Sequence, residues 1–96
     1  MPIATILPGA GATAQVPASV NAAETLLEIE NRSEVDMYYR LGNPVSPSDP
    51  ALAGIRIPAN GGYRCISGPG ARMAIYVTHA SSSNQELVWN RSSPPV

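Results

Sequence analysis

The chain has 96 residues, 44% of them hydrophobic, with seven acidic against six basic side chains and a formal net charge of −1. That suffices for one small globular domain and not for two, and the near-neutral balance lacks the basic footprint with which nucleic-acid binders displace counterions. All basic residues are Arg, spread singly as Arg32, Arg40, Arg56, Arg64, Arg72 and Arg91, and the lack of Lys excludes a phosphate-loop lysine and Schiff-base chemistry.

Residues 1–23 scatter Ile3, Ile6, Leu7 and Val16 among Pro2, Pro8, Gly9, Gly11, Pro17 and several Ala. Pro removes backbone donors and Gly raises the cost of ordering. The segment therefore reads as an extended N-terminal arm, with room only for short edge strands near 4–7 or 13–16. Pro2, Ile3, Ile6, Leu7 and Val16 are its expected anchors in a groove on another subunit.

A β-body is expected over 24–91. In Leu26 to Gly42, Leu27 and Ile29 alternate with Glu28 and Glu30, then Met37, Tyr39 and Leu41 with Asp36, Tyr38 and Arg40. Each run has one apolar face, and together they read as a hairpin in a half-buried antiparallel sheet. Asn43 to Pro50 holds three prolines and reads as a loop. With the strands at 25–31 and 36–41, further ones are predicted near 54–57, 62–66, 72–78 and 86–90. Pro58-Ala59-Asn60-Gly61-Gly62 and Gly68-Pro69-Gly70 supply positive-φ positions for reversals, Ser81 to Asn84 makes a polar turn, and 92–96 is a C-terminal tail.

Ten Pro, eight Gly and only five aromatic residues, none of them Phe, favour short strands and turns over a helical bundle. The only helix-friendly patch, Ala22-Ala23-Glu24, is too short to stand alone. The fold class is all-β: a small antiparallel β-sandwich or barrel, jelly-roll-like, with the extended arm. Alternation assigns the core to Leu27, Ile29, Met37, Tyr39, Leu41, Ile55, Ile57, Tyr63, Cys65, Met73, Ile75, Val77, Leu87 and Trp89. That is a small core, and burying further surface against neighbours is the expected supplement. No stretch approaches the ~20 apolar residues that cross a bilayer, so no membrane partner is expected. The single Cys65 has no internal disulfide partner, and the chain opens on neither a basic leader nor a long apolar run, so it reads as made in the cytoplasm.

Reactive constellations are sparse. Cys65 and His79 make a weak nucleophile and base pair, with core parity for the thiol and a strand end for the imidazole. One Cys and one His fall short of a tetrahedral metal set, and Glu28 with Glu30 read as a solvated strand face. Gly9-Ala10-Gly11-Ala12 and Gly68-Pro69-Gly70 lack the strand-loop-helix context of phosphate loops. The triplets Asn31-Arg32-Ser33 and Asn90-Arg91-Ser92 match the glycosylation acceptor by coincidence in a chain with no secretory signature. No catalytic, cofactor or metal residue is assigned. Tyr38 and Arg40, Tyr76, and Arg91 near the chain end are the expected contact residues of the body, since Tyr and Arg are enriched at interfaces.

One resemblance accompanies these patterns. A strand ending in Asn31, then Ser33 and an acidic residue, then Asp36-Met37-Tyr38-Tyr39-Arg40-Leu41-Gly42, is similar to a pattern common in small structural proteins of tailed bacteriophages. It continues through Ile55 to Tyr63 and Ala74-Ile75-Tyr76-Val77 with its Ser-rich turn, covering about 24–90. The long Pro-rich loop and the arm depart from the commoner form. The resemblance implies a non-enzymatic virion protein that decorates or cements the outer capsid surface, assembled in the host cytoplasm. Its partners would be the major capsid protein and its own copies as a homo-oligomer, trimers being the favoured form, with no nucleic acid and no cofactor. A tail or portal connector, a head-fibre base protein and a carbohydrate-binding host-recognition module are the alternatives.

Overall fold

The computed structural model describes residues 2–9, 13–44 and 54–93. Along them run β1 (Ile3–Ile6), β2 (Ala14–Val16), β3 (Leu26–Asn31), β4 (Met37–Leu41), β5 (Ile55–Ile57), β6 (Gly62–Ser67), β7 (Ile75–His79) and β8 (Gln85–Ser92), with one 3-10 turn at Pro69–Arg72. Two four-stranded antiparallel sheets result, ordered β1-β8-β3-β6 and β2-β7-β4-β5. Apart from β4 and β5, successive strands lie in opposite sheets. This is the strand order of an eight-stranded jelly roll, so the expected all-β sandwich is the fold.

Period-two alternation explains which faces meet. In β3 the exposure pattern turns Leu27, Ile29 and Asn31 inward, and β4 turns Met37 and Tyr39 inward. Ile57, Ile75, Val77 and Leu87 complete these facing strips with no exposed surface, and Leu41, Ile66 and Trp89 pack against them half-buried. Side chains of this kind contribute about 1.5–3 kcal/mol each when fully buried.

The pairing of the first two body strands differs from the expected hairpin. β3 bonds to β6 and β8, whereas β4 bonds to β5 and β7 in the other sheet. The chain crosses between sheets at Asn31, whose side chain is fully buried. Its Nδ2 donates to Val35 O at 2.8 Å and Ile57 O at 3.0 Å, and its Oδ1 accepts from the Ser33 N–H at 3.0 Å and the Ser33 hydroxyl at 2.6 Å. Every polar position of the amide is occupied, which is what a buried amide requires. The same contacts withdraw Asn31 from any role as a glycosylation acceptor.

The arm is also corrected. Within its described part, β1 pairs with β8 at one edge of the first sheet and β2 pairs with β7 at one edge of the second. Ile6 and Val16 are fully buried in the chain's own core, so neither is available as a partner anchor; Pro2, Ile3 and Leu7 are exposed. Pro and Gly sit around the strands instead of inside them, where they cost no ladder bonds. His79 fastens this segment: its Nδ1 accepts from the Ser81 N–H at 3.1 Å, so its Nε2 carries the proton and donates to Ile6 O at 2.8 Å.

Alternation misreads β6. Tyr63 and Cys65 face outward and are exposed, while Arg64 and Ile66 turn toward the other sheet. A slip of one residue exchanges the faces of a strand, and near the rim of a sandwich a long Arg stem serves as well as an aliphatic. The Arg64 guanidinium donates to Tyr63 O at 2.8 Å and to Arg56 O of β5 at 2.7 Å. Ile55 and Met73, expected inside, are 54% and 42% exposed. At the turn before β6, Asn60 and Gly61 hold φ of 60° and 102°, as the sequence predicts, and a Cβ on Gly62 would collide with the Pro58 carbonyl oxygen. The expected loop from Asn43 lies outside the described residues beyond Pro44.

Two stability measurements check this arrangement. Asn31→Leu removes one donor each from Val35 O and Ile57 O and strips the Ser33 N–H of its acceptor, and is expected to cost about 2–4 kcal/mol in denaturant unfolding. Ile6→Ala is expected to cost about 2–5 kcal/mol, as for a core position, whereas a free arm would show no change.

Candidate partner-binding surface

The outer face of the second sheet gathers the polar and aromatic residues that period-two alternation turns away from the core. β4 presents Tyr38 and Arg40, β7 presents Tyr76, and β5 presents Arg56. Register sets Arg40 directly opposite Tyr76, and Tyr38 between Thr78 on one side and Arg56 on the other. Tyr38 and Tyr76 are therefore diagonal neighbours on adjacent strands. Both rings are half-buried, while Arg40 and Arg56 are exposed. Three of the four body residues expected to make contacts thus share one rigid face, on strands locked by pairing on both sides.

Arg56 is held in place from below. Asp36 Oδ2 accepts from Arg56 Nε at 3.0 Å, and its Oδ1 accepts from the Ala59 N–H at 2.9 Å. The Ala59 N–H holds the Asp36 carboxyl below its ordinary range, desolvation opposes this, and the Arg56 guanidinium adds to the lowering. Beside this pair, Glu34, Val35, Asp36 and Tyr38 face Ala80, Ser81 and Ser82 across an open cleft of about 660 Å³. The cleft has an aromatic wall and a hydroxyl-bearing rim.

Arg91 does not belong to this surface. It shares inward parity with Leu87 and Trp89 on β8, and its guanidinium donates to Ala71 O at 2.8 Å, Pro17 O at 2.6 Å and Met73 O at 2.9 Å. It also lies 5.4 Å from the Trp89 ring centroid. These contacts tie β8 to the segment after β2 and to the 3-10 turn, so Arg91 is corrected from a contact residue to an internal clip.

The reactive candidates are kept apart. Cys65 stands exposed on the outer face of β6, and His79 is buried on β7 of the other sheet. The thiol's expected burial is thereby corrected. Glu28 lies on the solvated face as predicted and accepts from the Tyr63 hydroxyl at 3.1 Å, while Glu30 pairs with Arg32 at 2.8 Å. Desolvation first, then the hydrogen bond to Glu28 and the neighbouring Cys65, push the Tyr63 phenol up to about 12.

Sequence reasoning missed Arg56 and Asp36 as members of the surface. The alternation Ile55-Arg56-Ile57 places Arg56 outward, but nothing in it says that β5 lies beside β4. Comparison with models of known protein families, with curated proteins and with solved structures finds no match.

The Asp36 contacts make a pH prediction. A carboxyl whose native value lies below its unfolded value adds stability above the unfolded value, and this is lost as pH falls through the native one. Asp36→Asn is therefore expected to flatten the acid limb of the stability profile, measured by urea unfolding across acid pH.

Proposed function

We propose that this chain is a non-enzymatic structural protein of a tailed-phage virion. It seats on the outer capsid shell through the outer face of the β2-β7-β4-β5 sheet and stabilises contacts between capsid subunits, with copies of itself as further partners. The observation that carries the reading is the grouping of Tyr38, Arg40, Tyr76 and Arg56 on one sheet face. Interfaces enrich Tyr and Arg because each combines a large contact area with directed hydrogen bonding. A flat face on paired strands loses little conformational freedom when it docks, and many such contacts repeated over a shell add up through multivalency. The jelly-roll order supports the reading at the level of architecture, since capsid proteins are among the users of that fold; it is equally an architecture of lectins.

A second reading, a carbohydrate-binding module, is favoured by the cleft at Glu34, Asp36, Tyr38, Ser81 and Ser82. An aromatic wall stacks against sugar C–H groups, and carboxylates accept from vicinal hydroxyls.

The test is quantitative. This polypeptide is measured against the major shell protein in purified particles. A copy number that scales with the shell protein supports decoration, a handful per particle points to a vertex or tail, and absence from particles overturns the proposal. With particles stripped of the protein, Arg40→Ala combined with Tyr76→Ala is expected to weaken rebinding about tenfold or more, because each truncates a candidate hot spot. The double variant should keep the parent's β circular-dichroism signature and a cooperative unfolding transition, since both side chains lie on the outer face. Glycan-array binding lost in Tyr38→Ala would favour the second reading.

A further inference from the structure

A sandwich of two four-stranded sheets has four edges, and an edge strand that is left open invites pairing with another chain. Three of the four are blunted here. The β6 and β5 edges are bridged by the Arg64 guanidinium, which occupies Tyr63 O and Arg56 O, and β5 has only three residues. The β2 edge is also three residues long and carries a register shift between Ala14 and Val16.

Among the described residues the β1 edge has no such device. Ile3 to Leu7 contains no charged residue and no Pro, and its register with β8 runs without a bulge. Trp89 N–H donates to Pro2 O at 3.0 Å across the pair Pro2 and Trp89. In an antiparallel ladder hydrogen-bonded pairs alternate, so Ala4 and Ile6 also turn their backbone groups to β8. Ile3 and Thr5, of opposite parity, turn their N–H and C=O toward the open edge, and Leu7, one residue past β1, continues that parity. Their side chains stand on the outer face, with Ile3 58% and Leu7 55% exposed.

We propose that β1 is a self-association edge: two copies of this chain join antiparallel across a two-fold axis at Thr5, continuing the β1-β8-β3-β6 sheet into its copy. The sequence of the edge is its own complement. In this register Thr5 faces Thr5 of the second copy, and each Ile3 faces the other copy's Leu7, so both exposed aliphatics gain an apolar cross-strand neighbour. Val88, directly opposite Ile3 on β8 and 5% exposed, extends the apolar row inward. A two-fold at Ala4 would instead set Ile3 against Thr5, leave Leu7 unmatched and bring Pro2 into the ladder. Charge is compatible with a second copy. The nearest acidic residue in the central row, Glu86 opposite Thr5, would lie about three strand spacings from its equivalent, roughly 14 Å. That exceeds a screening length of about 8 Å at physiological salt.

A joint of five residues covers far less than the roughly 800 Å² per partner of a standard interface. The solution dimer is therefore weak and concentration-dependent. This inference rests on the shell-binding reading only for its use on a lattice, where multivalency strengthens weak joints; it is tested without particles.

The experiment uses the full chain in dilute buffer. In a Cys65→Ser background, Thr5→Cys is oxidised beside Gln15→Cys on the β2 edge. The register puts the two Thr5 Cα atoms about 5.5 Å apart, within disulfide reach, so a covalent dimer forms at position 5 in preference to 15. Thr5→Pro removes an N–H that points to the open edge and leaves the β8 ladder intact. By sedimentation over a concentration series it should raise the dimer dissociation constant about tenfold or more, with unchanged thermal unfolding. Ile3→Lys, which alters only an exposed side chain, gives the same readout should Thr5→Pro unfold. A chain that stays monomeric at every concentration, equal cross-linking at positions 5 and 15, or an oligomer indifferent to both edge variants overturns the proposal. Any of these results leaves the particle measurement standing.

Discussion

The structure depends on the buried amide of Asn31. At this residue the chain leaves one sheet for the other, and a crossing of that kind strands backbone carbonyls in a dry interior. Asn31 resolves this with one side chain, donating to Val35 O and Ile57 O and accepting twice from Ser33. Its own carbonyl accepts from the Gly61 N–H at 2.7 Å, so the turn before β6 hangs on the same residue. Low local dielectric strengthens each of these bonds and raises the cost of leaving any of them unmade.

The same device recurs around the sandwich. His79 of the second sheet bonds Ile6 O of the first, Arg64 of the first bonds Arg56 O of the second, and Arg91 of the first bonds Pro17 O just past β2. Each clip joins a side chain of one sheet to a carbonyl of the other, or to the segment beside it. A core this small gains from such clips because hydrogen bonds from long side chains reach the rims, where aliphatics are only half-buried. They also absorb the residues with chemical potential: a histidine and two of the six arginines are used in holding the sheets together. The outer face of the second sheet keeps Tyr38, Arg40, Tyr76 and Arg56, residue types that interfaces enrich.

The clips also divide the sandwich into unlike sides. At the β5 and β6 rim the Arg64 guanidinium occupies carbonyls that an incoming strand would need. At the β1 rim the polar clip comes from His79, and it binds Ile6 O, a carbonyl that already points inward. Among the described residues no side chain occupies the outward groups of β1. The reach of Arg64, the shortness of β2 and β5 and the register shift in β2 together separate those edges from β1.

From the amino-acid order alone come the all-β class, the strand sites, the turn glycines at 61 and 68, the outward Tyr38, Arg40 and Tyr76, and most of the aliphatic core. These follow from alternation and backbone sterics, which act between neighbours in the chain. Which strand pairs with which is a long-range matter, and there local patterns mislead: β3 and β4 look like a hairpin and lie in opposite sheets. Only tertiary structure decides that Ile6 and Val16 are core, that Arg91 and His79 are clips and that Cys65 faces solvent. The energy of each such placement comes from carbonyls and side chains distant in the chain, such as Ile57 O for Asn31 and Pro17 O for Arg91, and no short window of sequence contains both partners.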